Sequence, residues 1–242
     1  MNTITLVGYR RPGYMEEVIS ALLQCRQLSE FDLLYVSLDD HERTPEHLKL
    51  FSHSVVSKIP ILLDVHPRKG VDSNNLHAFD RVVLIGSEFN VCLEDDTKPC
   101  VDALELALWT KPILLERQDL LCSCLYGGGG PDQDPSEAFL ADTFLAWGWC
   151  FTRERFKTHI RPRWMRPVSW TKISPQPTGW DWSLTQIATD LGMKFITPRI
   201  SRIRNIGRFD GEYCTPEQWD RELGSQHCSE GKEPVAEFKL QI

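Results

Sequence analysis

Between Thr3 and Leu125 the chain alternates short apolar runs with stretches of helical spacing, and this alternation limits the fold more than any other feature of its 242 residues. Residues 3–9, 31–38, 57–65, 90–93 and 120–125 have the length and apolar continuity of strands. Between them, residues 14–24 place Tyr14, Val18, Leu22 and Met15, Ile19, Leu23 at helical spacing, and residues 75–89 and 101–109 read the same way. Strands separated by helices predict an α/β fold, a mostly parallel sheet flanked by helices. Ligands of such sheets sit outside the carboxyl ends of the strands. Here those ends carry Arg11, Asp39 and the triplet Glu94-Asp95-Asp96.

With 41% apolar and 25% charged residues the chain has the makeup of a folded globular domain rather than a disordered tail. No apolar run reaches the 18 residues that a membrane-spanning helix needs. The start, MNTITLVGY, lacks the basic, apolar and small-residue pattern of a secretory signal. The eight cysteines are scattered without a Cys-x-x-Cys pair and read as reduced core thiols. A soluble, cytoplasmic protein is the expectation, and its oligomeric state is open.

Residues 126–210 differ in character. Six of the eight tryptophans fall between 147 and 182, among Pro162, Pro167, Pro175 and Pro177. That predicts an irregular aromatic region over the sheet, then a helix over 182–191 and a strand over 194–197. The four glycines at 127–130 read as a mobile loop; without a following Gly-Lys-Ser/Thr they are not a Walker loop. Residues 151–209 hold twelve Lys and Arg against Glu154, Asp181 and Asp190, in a chain of net charge −7. Such a stretch marks either an anionic ligand or a solvated basic face.

Three carboxylates at a strand end repel one another unless a cation or hydrogen-bond donors neutralise them. Oxygen ligands of this kind suit Mg²⁺ or Mn²⁺, which can also hold a substrate's phosphates; a solvated acidic turn is the plain alternative. Asp181, between Trp180 and Trp182, also has two readings. Aromatic walls can desolvate a carboxylate and raise its pKa, as a general base requires, and an Asp ahead of an apolar-periodic segment is a favoured helix N-cap.

In order, these motifs resemble a known family. Tyr9-Arg10-Arg11-Pro12-Gly13-Tyr14, Val36-Ser37-Leu38-Asp39 and Glu94-Asp95-Asp96 are similar to the nucleotide-binding start, the base- or ribose-contacting Asp and the Asp-x-Asp-type metal motif of GT-A (Rossmann-like) glycosyltransferases. Ala146-Trp147-Gly148-Trp149, Gly179-Trp180-Asp181-Trp182, Pro198-Arg199-Ile200-Ser201-Arg202 and Gly207-Arg208 follow in the order seen in N-acetylglucosaminyltransferase I and the O-mannose β-1,2-N-acetylglucosaminyltransferase. The resemblance covers most of residues 1–210 as scattered motifs. It implies a single GT-A domain, with a nucleotide-sugar half at 1–125, an aromatic-rich acceptor and catalytic half at 126–210, and a tail at 211–242.

The same resemblance implies an inverting transfer from a UDP-sugar (UDP-GlcNAc or UDP-glucose) that depends on Mn²⁺ or Mg²⁺ held by Asp96. Donor contacts would come from Tyr9, Arg11, Asp39, Glu94, Asp95 and Arg202, the catalytic base would be Asp181, and a mobile loop over 202–210 would order over the donor. Trp149, Trp180 and Trp182 with Arg161 and Arg163 would face the acceptor. The family carries two acids before the final Trp where this chain has Asp181 alone, and it includes members with membrane anchors and lumenal disulfides.

Arg153, Arg155, Lys157, Arg161, Arg163 and Arg166, with Trp164 and Trp170 interleaved, have the chemistry that meets phosphate backbones and unstacked bases. A hydroxymethylated base in DNA and a glycan therefore stand level as acceptors. His66 and His227 read as surface or incidental histidines. A nucleotidyltransferase on a similar half-sheet stays open, although residues 9–14 lack its glycine-rich, lysine-bearing loop. So does a module that binds nucleotide sugar or nucleic acid without turnover.

Overall fold

In β1 (Asn2–Gly8), Ile4 and Leu6 face one side of a sheet and Val7 the other, as the two-residue period of a strand requires. Thr3 and Thr5 share Val7's side and stay buried because both hydroxyls donate to Asn90 Oδ1, at 2.7 and 2.9 Å. The computed structural model describes residues 1–51, 58–168, 179–211, 214–231, 235 and 237–241. Trp170, Pro175, Pro177 and the start of the strand expected from Ser57 lie outside the described residues.

β1 pairs in parallel with β2 (Leu33–Asp39) on one side and β4 (Phe89–Glu94) on the other, and β2 pairs in parallel with β3 (Ile61–His66). The chain thus steps outward through β2 and β3, then returns past β1 to place β4. That reversal makes the gap at the carboxyl ends of β1 and β4 a topological switch point, where sheets of this kind bind ligands. A short β5 (Thr97–Pro99) follows the acidic turn.

The sheet continues with β6 (Leu120–Cys124), β7 (Glu137–Ala141), β8 (Trp149–Thr152), β9 (Lys194–Pro198) and β11 (Lys239–Gln241), in the order β11-β7-β9-β6-β8-β4-β1-β2-β3. β8 runs antiparallel between β4 and β6, and β7 antiparallel to β9. β10 (Ile203–Asn205) pairs antiparallel with β5 apart from the main sheet.

Helices cover both faces. Met15, Val18, Ile19 and Leu22 of α1 (Pro12–Leu22) join one core cluster, and α2 (Thr44–Leu50) is a short helix before β3. Ala78, Phe79 and Val82 of α3 (Val71–Leu84) join the other. α4 (Ala103–Glu116) supplies Leu104, Leu106, Ala107 and Leu114 to the first cluster. α5 (Trp180–Leu191) supplies Leu184, Ile187 and Ala188 to the second, and α6 (Pro216–Glu222) closes the set.

Several elements differ from the sequence reading. α1 begins at Pro12, since proline's fixed φ and absent N–H suit the first helical turn. The helix expected over 75–89 lies earlier, at Val71–Leu84, because Phe89 belongs to β4. α4 runs through Pro112 to Glu116, well beyond the expected end at Trp109.

The aromatic stretch is the larger correction. Among the described residues, part of it is β8, inside the sheet rather than over it, and Trp149 is 1% exposed there, packed edge-on to Phe79 and Phe144. Trp180 stacks between Trp149 and Trp164, with ring centroids 5.7 and 5.9 Å away. These indoles are core, built on the face of the sheet that α3 and α5 cover.

Candidate active site

A cleft of about 570 Å³ opens at the switch point, a volume suited to a small-molecule ligand. Its lining joins the ends of β1 and β4, the first turns of α3 and α5, residues 143–147, and described residues within 205–211 and 214–223.

The acidic turn after β4 forms the floor. Asp95 is almost fully buried and saturated: Oδ2 accepts the Tyr9 N–H at 3.2 Å and Oδ1 accepts from Arg11. Asp96 Oδ2 accepts from Arg11 Nη1 at 2.9 Å, and Asp96 Oδ1 is buried with no hydrogen-bond partner among the described residues. Glu94 Oε1 accepts from Asn75 Nδ2 at 3.2 Å.

Burial, added to the neighbouring Asp96 and Asp95 charges, pushes the Glu94 carboxyl up to about 8. Burial also raises Asp96, against the pull of Arg11. For Arg11 burial works the other way, but Asp95 and Asp96 outweigh it and hold the guanidinium charged.

The residues present fit a divalent cation of a particular kind. Among the described residues no three His, Cys, Asp or Glu side chains converge as a ready-made metal site. An unpartnered, buried carboxylate oxygen is nevertheless what a hard cation would take up, and one protein carboxylate with substrate phosphates is a usual way of binding Mg²⁺.

Asp181 sits across the cleft, in the first turn of α5. The helix starts two residues earlier than expected, so Asp181 is not its N-cap. Gly179 holds that position at φ +149°, and a Cβ there would come 2.7 Å from Asp181 Oδ1. Burial raises the Asp181 carboxyl and Asp72 adds to it, while the Trp182 N–H and Asp181's own work against the rise.

Asp72, in the first turn of α3, was missed in the sequence. Its Oδ1 accepts the Trp180 N–H at 2.9 Å and its carbonyl accepts the Trp164 indole N–H at 3.2 Å, tying the starts of α3 and α5 together. An acid just after Gly70 is a helix-start signal that the displaced boundary of α3 concealed.

The chain after β10 closes the third side. The Ile206 N–H donates to the Asp96 carbonyl at 2.9 Å, and a Cβ on Gly207 would lie 2.2 Å from Asp96 Oδ2. Asn205 Oδ1 accepts from Gly207 N–H and from Trp219 of α6, and the Phe209 N–H donates to the Tyr14 hydroxyl.

Of the residues expected from sequence, Tyr9, Arg11, Asp39, Glu94, Asp95, Asp96, Trp180, Asp181 and Trp182 line one cleft. Trp182 is 36% exposed, whereas Trp180 shows little more than an edge. Asp39 is committed to the fold: its oxygens accept the N–H groups of Lys69 and Gly70 at 3.0 and 2.8 Å. His66 is neither at the surface nor incidental, for it is buried against Ser37 and Asp39.

Four expected residues stand elsewhere. Trp149 is sealed in the core. Arg202 is fully buried, 3.0 Å from Asp102, and also donates to the Ile200 and Pro135 carbonyls; it locks the β9–β10 turn instead of facing a donor. Arg161 is turned to Asp80 and Arg163 to the Thr158 and His159 carbonyls, both outside the cleft.

Other cations of the basic stretch are similarly matched. Arg153 pairs with Glu88, Arg166 with Asp190 and Arg208 with Asp220, while Arg155 is buried against the Leu120 and Arg117 carbonyls. Acids elsewhere in the sequence pair with several members of what looks like a basic run.

No protein-family model matches the chain. Solved structures do. A mannosyltransferase from Pyrobaculum calidifontis, in complex with GDP-Man and Mn²⁺, superposes with a TM-score of 0.52 at 19% identity, over 81% of this chain and 54% of that one. TarS 1–349 from S. aureus in complex with UDP-GlcNAc gives 0.58 at 12% identity, over 95% and 68%. TarS 1–349 without that ligand gives 0.57 at 14% identity, over 84% and 60%. This chain thus spans between just over half and about two thirds of the lengths it matches. The chain shares the GT-A fold of these solved structures, a mostly parallel sheet with helices on both faces.

Proposed function

We propose that the chain is an inverting glycosyltransferase that moves a hexose or N-acetylhexosamine from a UDP-sugar, UDP-GlcNAc or UDP-glucose, to an acceptor hydroxyl. One observation carries this reading. A single cleft holds Asp96, whose buried Oδ1 is unpartnered among the described residues, opposite Asp181, whose carboxyl burial raises. The neighbours of like fold that bind GDP-Man with Mn²⁺ and UDP-GlcNAc support a nucleotide-sugar donor.

Arg11, which lines the cleft just ahead of the first turn of α1, receives the diphosphate. That turn carries no acidic side chain, and the Gly13 and Tyr14 amides have no intrahelical acceptor. Mn²⁺ or Mg²⁺, held by Asp96 and the phosphates, would supply the positive charge that offsets the charge developing on the departing UDP. Asp181 takes the proton of the acceptor hydroxyl as it attacks the anomeric carbon, and its raised pKa makes it a competent base nearer neutral pH. Trp182 offers an exposed flat face on which a sugar can stack.

The acceptor is a saccharide hydroxyl in this reading. A DNA acceptor calls for unmatched cations along the rim, and Arg153, Arg161 and Arg166 are each paired with an acid. The test offers UDP-GlcNAc, UDP-glucose and UDP-galactose, with Mn²⁺, against oligosaccharide pools and hydroxymethylated DNA, and reads product mass. A hexose or N-acetylhexosamine mass added to an oligosaccharide is expected. Modified DNA would transfer the reading to nucleic acid. A nucleotidyl adduct, or UDP binding indifferent to metal and without any product, would overturn it.

A further inference from the structure

Arg11 holds the same Asp96 carboxylate that the metal-assisted reading gives to a divalent ion. Its guanidinium bridges Asp95 and Asp96 and leaves the second oxygen of the Asp96 carboxylate unpartnered among the described residues. Asp96 as a whole is nine-tenths buried. An ion on Oδ1 with the guanidinium still on Oδ2 would crowd two cations onto one buried carboxylate, where repulsion is poorly screened. The two cations therefore compete for it.

Resting on the glycosyltransferase reading, we propose that Arg11 is an exchangeable placeholder for the metal. It holds Asp95 and Asp96 neutral in the empty site, swings to the donor diphosphate when nucleotide enters, and so makes tight metal binding depend on nucleotide.

Three features of this chain support the exchange. First, without Arg11, Asp95 would keep only the Tyr9 N–H and Asp96 Oδ2 would lose its donor, so the empty corner needs a cation to stay folded. Second, the described contacts of the Arg11 guanidinium are the two carboxylates and the Tyr14 ring, 5.8 Å from its Cζ, and none of them is a backbone tie. Arg11 is the residue at the start of α1, makes no side-chain cap there, and keeps 17% of its side chain exposed. Third, a place to go lies beside it. Arg11 itself lines the cleft next to Tyr9 and Arg10, and the planar fork of arginine matches a phosphate as well as a carboxylate pair. A lysine, as a point charge, would neutralise one carboxylate and leave the other exposed to its neighbours.

The experiment measures Mn²⁺ binding to the full chain by electron paramagnetic resonance, with and without UDP, alongside thermal unfolding in the same buffers. The wild type is expected to bind Mn²⁺ weakly alone and more tightly with UDP. Arg11→Met should bind Mn²⁺ without UDP about tenfold or more tightly than the wild type. It should lose most of the UDP dependence and gain a larger Mn²⁺-induced rise in melting temperature. Should Arg11→Met fail to fold without Mn²⁺, Arg11→Lys serves, with an intermediate Mn²⁺ affinity expected.

Asp96→Asn should remove the Mn²⁺ site in each background. Equal Mn²⁺ affinity in wild type and Arg11 variants, or a wild type that binds Mn²⁺ equally well with and without UDP, would overturn the proposal. The readout is ion occupancy, so a chain that couples Mn²⁺ to UDP yet transfers no sugar sustains the exchange while sinking the transferase reading.

Discussion

Replacing Arg202 by methionine separates a structural cation from a donor ligand. In the wild type the guanidinium donates to Asp102 Oδ2 at 3.0 Å and to the Ile200 carbonyl at 2.5 Å, and it also reaches the Pro135 carbonyl. Neither partner of the ion pair sees solvent, with side-chain exposures of 0% and 1%. Methionine keeps the stem but strands the Asp102 carboxylate. Ser229 would remain on Oδ2 at 2.8 Å, and Oδ1 already lacks a partner among the described residues. Breaking one side of a buried pair costs about 3–5 kcal/mol. For a chain of this size each kcal/mol moves the melting temperature by about 2–4 °C, so a fall of about 6–20 °C is expected. Differential scanning calorimetry measures it, with UDP binding followed by titration calorimetry below the transition. Adding Asp102→Leu should restore part of the loss, since no charge is then left unpaired. A melting temperature within about 2 °C of wild type, together with lost UDP affinity, would refute the structural role and return Arg202 to the donor site.

Three other expectations follow from the site. Asp181→Asn should abolish transfer, read by product mass, with donor affinity nearly unchanged; in the wild type the rate should fall as pH drops through the raised Asp181 pKa, because the base is then protonated. Glu94, held near 8 in the folded chain against 4.5 ordinarily, binds its proton more tightly folded than unfolded. Metal-free stability should therefore decline as pH rises from about 4.5 to about 8, and Glu94→Gln should flatten that decline in melting temperature measured against pH. Gly207→Ala would bring a Cβ 2.2 Å from Asp96 Oδ2, pushing the 205–210 segment off the acidic turn, and should weaken Mn²⁺-dependent UDP binding by about tenfold while costing on the order of 1 kcal/mol of stability.

Much of the site was readable because its signals are local. An apolar run that ends in charged residues marks a strand and its end together, which places Arg11, Asp39 and the acidic turn at one sheet edge from sequence alone. Asp181 between two tryptophans carried a desolvation signal in three consecutive residues. Helix starts were read late at Val71 and Trp180 because glycine stood at both N-caps in place of a hydroxyl or carboxylate side chain, and Asp72 was lost with the first of these boundaries.

The sequence by itself determined the alternation of strands and helices, the end of the sheet at which the cleft opens, and the carboxylates gathered there. Tertiary structure alone decided which cations were already taken. Arg153, Arg161, Arg166 and Arg202 look like a basic field along the chain, yet Glu88, Asp80, Asp190 and Asp102, 24 to 100 residues away, meet them in space. It likewise decided that Trp149 is core while Trp182 faces the cleft, because the fold places one inside a nine-stranded sheet and the other on the rim of a helix. A residue type states what a side chain can bind. Which partner it does bind depends on neighbours brought close by strand order and packing, which no local pattern encodes.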